Sequence, residues 1–115
     1  MKINQFEVWI ANLNPQKGTE PGKKRPVLII QTDLLNKVSH LSTIICPITT
    51  NVLQDSEILR VHIKQGVANV EKDCDILIDQ IRAIDNKLLL ERIGVLPKDI
   101  TDLVKENLQI ILDLV

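Results

Sequence analysis

Aromatic residues are almost missing from this sequence: Phe6 and Trp9 are the only two in 115 residues, and there is no tyrosine. That argues against modules that hold single-stranded bases by stacking them on aromatic platforms. An excess of positive charge is missing too. Fourteen basic and fifteen acidic side chains leave a net charge of −1. A protein that coats nucleic acid is usually strongly basic, so any such contact has to come from a local patch. Cysteine is scarce: Cys46 and Cys74 have neither the close spacing nor the supporting Cys or His pair of a metal site. Cys46, in the run Ile44-Ile45-Cys46, reads as a small buried hydrophobe, and two unpatterned thiols fit a reducing cytoplasm. There is no signal-peptide pattern and no run long enough to cross a bilayer, so a cytoplasmic chain without membrane contact is expected. Walker loop, Gly-x-Gly-x-x-Gly and nucleophile elbow are absent as well.

What is present is an ordinary globular composition, 44% hydrophobic and 25% charged, in a length that suits one domain over residues 1–115. The four glycines and five prolines fall where boundaries are wanted. Between them the sequence predicts a strand over Phe6–Ala11, ended by Asn12-Leu13-Asn14-Pro15, and a second from Arg25 to about Thr32. A short turn or single helical turn at Asp33–Asn36 follows. Leu41–Ile48 is a β-branched third strand in which Pro47 demands an edge position or a bulge. Ile58–Ile63 alternates with a period of two, placing Arg60 and His62 on a wet face. Cys74–Ile78 and Leu88–Ile93 complete the strands, the last closing at Gly94. From Pro97 the period becomes helical: Ile100, Leu103, Val104, Leu108, Ile111, Leu112 and Val115 share a stripe, with Pro97 suited to the first turn and Asp99 to the positive helix end. The expected architecture is mainly β: a small twisted sheet or barrel with a C-terminal helix packed on it.

Chemistry concentrates in one stretch, Gly18 to Ile30. Gly18, Pro21 and Gly22 break helix and sheet alike in a loop that carries Glu20, Lys23, Lys24 and Arg25 and runs straight into Val27-Leu28-Ile29-Ile30. Pro26 biases Arg25 to an extended backbone, so the guanidinium leaves from a stiff base. A basic turn ahead of a core strand would be the bland account. The density of backbone punctuation favours an anion-binding loop, because function gathers on loops held by rigid strands. Thr49 and Thr50 end the third strand, and Gln80 and Arg82 follow the fifth. His40 and His62 would be the obvious acid–base pair for RNA cleavage, but neither has a supporting motif and both read as bystanders. Glu71, Asp73, Asp75 and Asp79 lack the glycine and spacing of a calcium loop and read as a solvated rim.

Gly18-Thr19-Glu20 ahead of Arg25-Pro26-Val27-Leu28, then Pro47-Ile48-Thr49-Thr50, then Asp79-Gln80-Ile81-Arg82-Ala83-Ile84-Asp85 resembles, in order and over essentially the whole chain, the MazF/PemK family of toxin–antitoxin ribonucleases. The resemblance implies an SH3-like twisted barrel with a C-terminal helix, kin to the gyrase poison CcdB. It implies a homodimeric, metal-independent endoribonuclease without cofactors, which cuts single-stranded RNA at a short preferred sequence. Attack of the ribose 2′-OH would give 2′,3′-cyclic phosphate and 5′-OH ends, and the flexible C-terminal segment of a cognate antitoxin would occupy the RNA groove. Carried onto this sequence, the catalytic arginine is Arg25 and the catalytic hydroxyl Thr49. Thr19, Glu20 and Gln80 match positions that line the RNA site, beside which Lys24 and Thr50 are expected substrate-binding residues. Two positions depart from the family pattern: Phe6 stands where glycine is usual and Leu88 where an arginine is often found, which bears on the groove or the dimer surface. The alternative on the same fold is a non-catalytic CcdB-like binding toxin, or a degenerate member that only binds its antitoxin.

Overall fold

The structure, a computed structural model, describes residues 2–14, 23–38, 40–56 and 59–114. The apolar runs at 27–30 and 43–48 are unbroken because the strands they form are buried on both sides. Within β1 (Glu7–Asn14), β2 (Lys23–Ile29) and β3 (Ser42–Thr49), alternate apolar side chains enter opposite cores. Val8, Leu28, Cys46 and Ile48 join a core on one face, with Val61, Ile76 and Val104. Trp9, Ala11, Val27, Ile29 and Ile45 join a second core on the other, with Ile84 and Leu89.

After the short helix α1 (Asp33–Asn36) and β3 come β4 (Arg60–Ile63), β5 (Cys74–Leu77), β6 (Arg82–Asp85), β7 (Leu89–Val95) and α2 (Lys98–Ile111). The seven-stranded sheet runs in the order β4-β5-β3-β2-β1-β7, with β6 also paired to β3, and all its pairs are antiparallel. No described pair joins β4 to β7, so the expected barrel is an open sheet. β3 is its hub. One edge carries β2; the other carries β6 along Ser42–Ile45 and then β5 along Ile48–Thr49. Pro47 therefore lies in an interior strand, where the partner changes and no ladder bond needs its missing N–H.

Several boundaries differ from expectation for one physical reason: backbone pairing does not require apolar side chains. β1 continues to Asn14 and β2 begins at Lys23 because their hairpin keeps pairing Asn12 with Lys24 and Asn14 with Lys23. Pro26 is thus inside β2, opposite Ile10, rather than at its start. β4 begins at Arg60, with Ile58 outside the described residues, and β5 ends at Leu77, where a 3₁₀ turn over Ile78–Gln80 begins.

Gly94 does not close β7 but lies within it, opposite Val8. A Cβ there would collide with the Ala68 backbone carbonyl, in a turn where Ala68 and Asn69 are both left-handed and Asn69 Nδ2 donates to the Ile93 carbonyl at 2.7 Å. Since backbone cannot rotate aside, Gly94→Ala is expected to destabilise the protein by about 1–3 kcal/mol. A urea midpoint equal to wild type would refute the close approach.

Helix α2 covers the first core through the fully buried Val104, supported by Ile100, Leu108 and Ile111. Pro97 precedes the helix as its cap instead of sitting in the first turn. Leu103 and Leu112, expected on the buried stripe, are exposed. Both thiols are buried and free. Burial pushes Cys46 up to about 12, helped by Asp79, and Cys74 up to about 11, helped by Asp75 and Asp73. No described helix is long and apolar enough to cross a membrane.

Candidate functional site

The β2–β3 ladder pairs Ile29 with Ile45, Leu28 with Cys46 and Val27 with Pro47, and there it stops. Pro26, which would face Ile48 next in this register, has no N–H with which to extend it. Beyond that point β2 stays bonded to β1 (Arg25 opposite Ala11) while β3 stays bonded to β5 (Thr49 opposite Asp75). Arg25 and Thr49 therefore flank the place where the two strands part. Each is two residues from the last pair, so both project to the face that Val27 and Pro47 share.

Arg25 is half-buried, and no hydrogen bond or ion pair joins its guanidinium, a planar fork of donors, to another described residue. The Thr49 hydroxyl accepts from the Asn51 amide at 3.1 Å and keeps its own O–H to donate. Lys24 and Thr50 lie elsewhere. They share a cleft of about 400 Å³ with Ile10, Pro26, Lys72 and Glu91, on the face of the first core. Gln80 is exposed in the turn between β5 and β6, along the β3 edge. Thr19 and Glu20 lie outside the described residues.

Two expectations are corrected. Asp75 is not part of a solvated rim: its side chain is 0% exposed. It accepts from the Leu53 amide and Arg60 Nη1, both at 3.0 Å, and bonds His62 Nδ1 at 2.5 Å. Burial alone would raise its carboxyl, but the bonds from Leu53, His62 and Arg60 outweigh it and hold the group below its ordinary range. His62 is accordingly no free surface histidine, although 38% of its side chain is exposed. Asp75 faces Thr49 across one strand boundary and His62 across the other. Arg25, Thr49, Asp75 and His62 thus follow one another across β2, β3, β5 and β4 on one face. The only hint in the sequence is a carboxylate placed inside the apolar stretch Cys74–Ile78. His40 stays remote, its Nδ1 bonded to the Ser42 carbonyl at 2.7 Å.

A second buried acid, Glu7, is architectural. It bonds Trp9 Nε1 at 3.0 Å, the Asn4 amide at 2.8 Å and Arg92 Nε at 2.6 Å. Burial would raise its carboxyl, but the bonds from Trp9, Asn4 and Arg92 hold it lower. Among the described residues no group of three His, Cys, Asp or Glu side chains is placed to hold a metal ion.

Residues 4–112 match the sequence pattern of the family described as the PemK-like, MazF-like toxin of type II toxin–antitoxin systems. The chain belongs to this family. It is 36% identical over 115 residues to endoribonuclease EndoA of Bacillus subtilis (strain 168), covering 100% of this chain and 98% of that protein. Its fold is that of MazF in a MazE–MazF crystal structure from Deinococcus radiodurans, with a TM-score of 0.80 at 22% identity over 100% and 99% of the two chains. A mycobacterial endoribonuclease in complex with its cognate antitoxin superposes with a TM-score of 0.78 at 13% identity, over 98% and 97%. Within this MazF-like fold the Phe6 departure has a backbone meaning. Phe6 adopts φ 66°, a left-handed conformation that costs a non-glycine residue about 1–2 kcal/mol. Its amide donates to the Ile29 carbonyl at 2.7 Å and its carbonyl accepts from the Leu96 amide at 3.0 Å. Its ring packs on the first core beneath Lys105 Nζ, 5.5 Å from the centroid. Leu88, the other departure, packs against the second core.

Proposed function

We propose that this MazF-family toxin is a cytoplasmic, metal-independent endoribonuclease that cuts single-stranded RNA within a short preferred sequence. It acts as a homodimer and is held in check by the C-terminal segment of a cognate antitoxin. The observation that carries this reading is the placement of Arg25 and Thr49 on one sheet face, on the two sides of the opening between β2 and β3. In the reaction, the ribose 2′-oxygen forms a bond to phosphorus as the bond to O5′ breaks. The 2′-OH proton leaves to solvent and O5′ takes one up, giving 2′,3′-cyclic phosphate and 5′-OH ends. The substrate supplies its own nucleophile, so the protein has to stabilise the charge that grows on the phosphoryl oxygens. A guanidinium that stays protonated at any ordinary pH suits that role and is a poor base. The Thr49 hydroxyl donates to the same oxygens. Thr19, Glu20 and Gln80 are assigned to binding the flanking nucleotides, and Lys24 and Thr50, in their cleft on the other sheet face, to a more distant part of the strand.

Purified protein incubated with mixed single-stranded RNA in excess chelator is expected to yield fragments with 5′-OH ends. Cleavage only after added metal would remove the metal-independent route. Intact RNA alongside inhibited gyrase would replace the reading with that of a CcdB-like binding toxin.

A further inference from the structure

Resting on that reading of the Arg25–Thr49 site, we propose that His62 is a further substrate-binding residue, which contacts the sugar–phosphate of a flanking nucleotide through Nε2. A solvent-facing histidine on an edge strand has little structural need of a fully buried carboxylate, yet Asp75 is buried in the sheet with one oxygen committed to His62 Nδ1. Such a bond fixes the ring and directs the second nitrogen outward. The same carboxylate faces Thr49. Its other oxygen holds Arg60 and the Leu53 amide, and Arg60 Nη1 also donates to the Asn51 carbonyl at 2.7 Å. One buried group therefore orders both the segment that follows Thr49 and the ring of His62.

His62 stands two strand spacings from Thr49, about 10 Å, on the side away from Arg25. That is the span of about three stacked nucleotides, or fewer when the bases are splayed. It lines the junction of two clefts, one of about 550 Å³ with Arg60 and Glu106 and one of about 150 Å³ with Gln54 and Lys64. The larger of the two, walled on one side by α2, has room for a flanking nucleotide. The ring accepts from a ribose 2′-OH through the Nε2 lone pair when neutral and donates to a phosphate oxygen when protonated. Both contacts belong to the backbone of the strand.

The test compares two RNAs with one preferred cleavage site: a long one extending several nucleotides to each side, and a dinucleotide, whose single nucleotide on either side of the cleaved phosphate is too short to reach His62. The ratio of kcat/KM on the long RNA to that on the short is expected to fall about three- to tenfold in His62→Ala, the scale of one lost hydrogen bond, mainly through KM. His62→Gln, which keeps a partner for Asp75, is expected to show the same fall. A structural defect would lower both substrates together, so an unchanged ratio overturns the proposal. Replacing the flanking riboses by 2′-deoxyribose abolishes the difference if the hydroxyl is the contact. A phosphate contact instead makes the salt slope of binding shallower by about 0.7 in the variant, and neither change overturns the sugar–phosphate assignment. If the wild-type protein cuts neither RNA, the enzyme reading itself fails. If it cuts both and the variants match it, only the role of His62 falls.

Discussion

Arg25→Ala is expected to lower kcat/KM for RNA cleavage by about 10²–10³-fold, the loss that follows removal of one preorganised donor from a developing oxyanion. The effect belongs in kcat more than KM, because in the proposed reaction the guanidinium is matched to charge that grows on the phosphoryl oxygens only as the 2′-oxygen bonds to phosphorus. The protein should remain folded, since Arg25 is half-buried and no described residue depends on it for a hydrogen bond. Arg25→Lys separates two versions of the role. Lysine restores a positive charge without the planar fork, so activity well below wild type supports a two-pronged hold on the phosphate. Near-full activity in the lysine variant would sink it, leaving charge alone as the contribution.

The largest effect on stability is expected at Asp75. Asp75→Ala removes the acceptor shared by the Leu53 amide, Arg60 and His62. Breaking a buried pair costs about 3–5 kcal/mol, and the lower end applies because Arg60 and His62, at 18% and 38% side-chain exposure, can turn to water. A loss of about 3 kcal/mol is a large share of the roughly 5–15 kcal/mol that holds a domain together. A urea midpoint within error of wild type would show that the cluster contributes nothing net.

The same carboxylate gives a pH signature. Asp75 and Glu7 both titrate below their ordinary values of 3.8 and 4.5 in the folded protein. The unfolded chain binds their protons first as pH falls, so their contribution is complete above those ordinary values and is lost as pH drops through the lowered folded ones. Stability should therefore decline on acidification below about pH 4.5. Asp75→Asn and Glu7→Gln should each flatten that decline, and an unaltered slope in both would place the acid sensitivity elsewhere.

How far the sequence could be read follows from the range of the interactions involved. The runs at 27–30 and 43–48, the single turn at Asp33–Asn36 and the helical period after Pro97 were legible because each depends on residues a few positions apart. Arg25 and Thr49, the pair proposed for the site, stand out through local motifs, Arg25 beside a proline whose missing N–H acts locally. The strand ends were less so, since Lys23, Asn12 and Asn14 pair through backbone that their side chains do not advertise. Leu103 and Leu112 carry the right period yet remain exposed, because α2 meets the sheet along a narrower stripe than its hydrophobic residues span.

By itself, then, the sequence determined the strand-rich order with its final helix and the apolar interior, and it singled out the arginine and threonine proposed for one site. Tertiary structure alone decided that Gly94 must admit the Ala68 carbonyl, that β3 changes partners at Pro47, and that a buried Asp75 stands between Thr49 and His62. A strand's own residues specify which side chains alternate, but not which strand will lie beside it or in what register. Asp75 and His62 are thirteen residues apart in sequence, and only the pairing of β4 with β5 makes them neighbours.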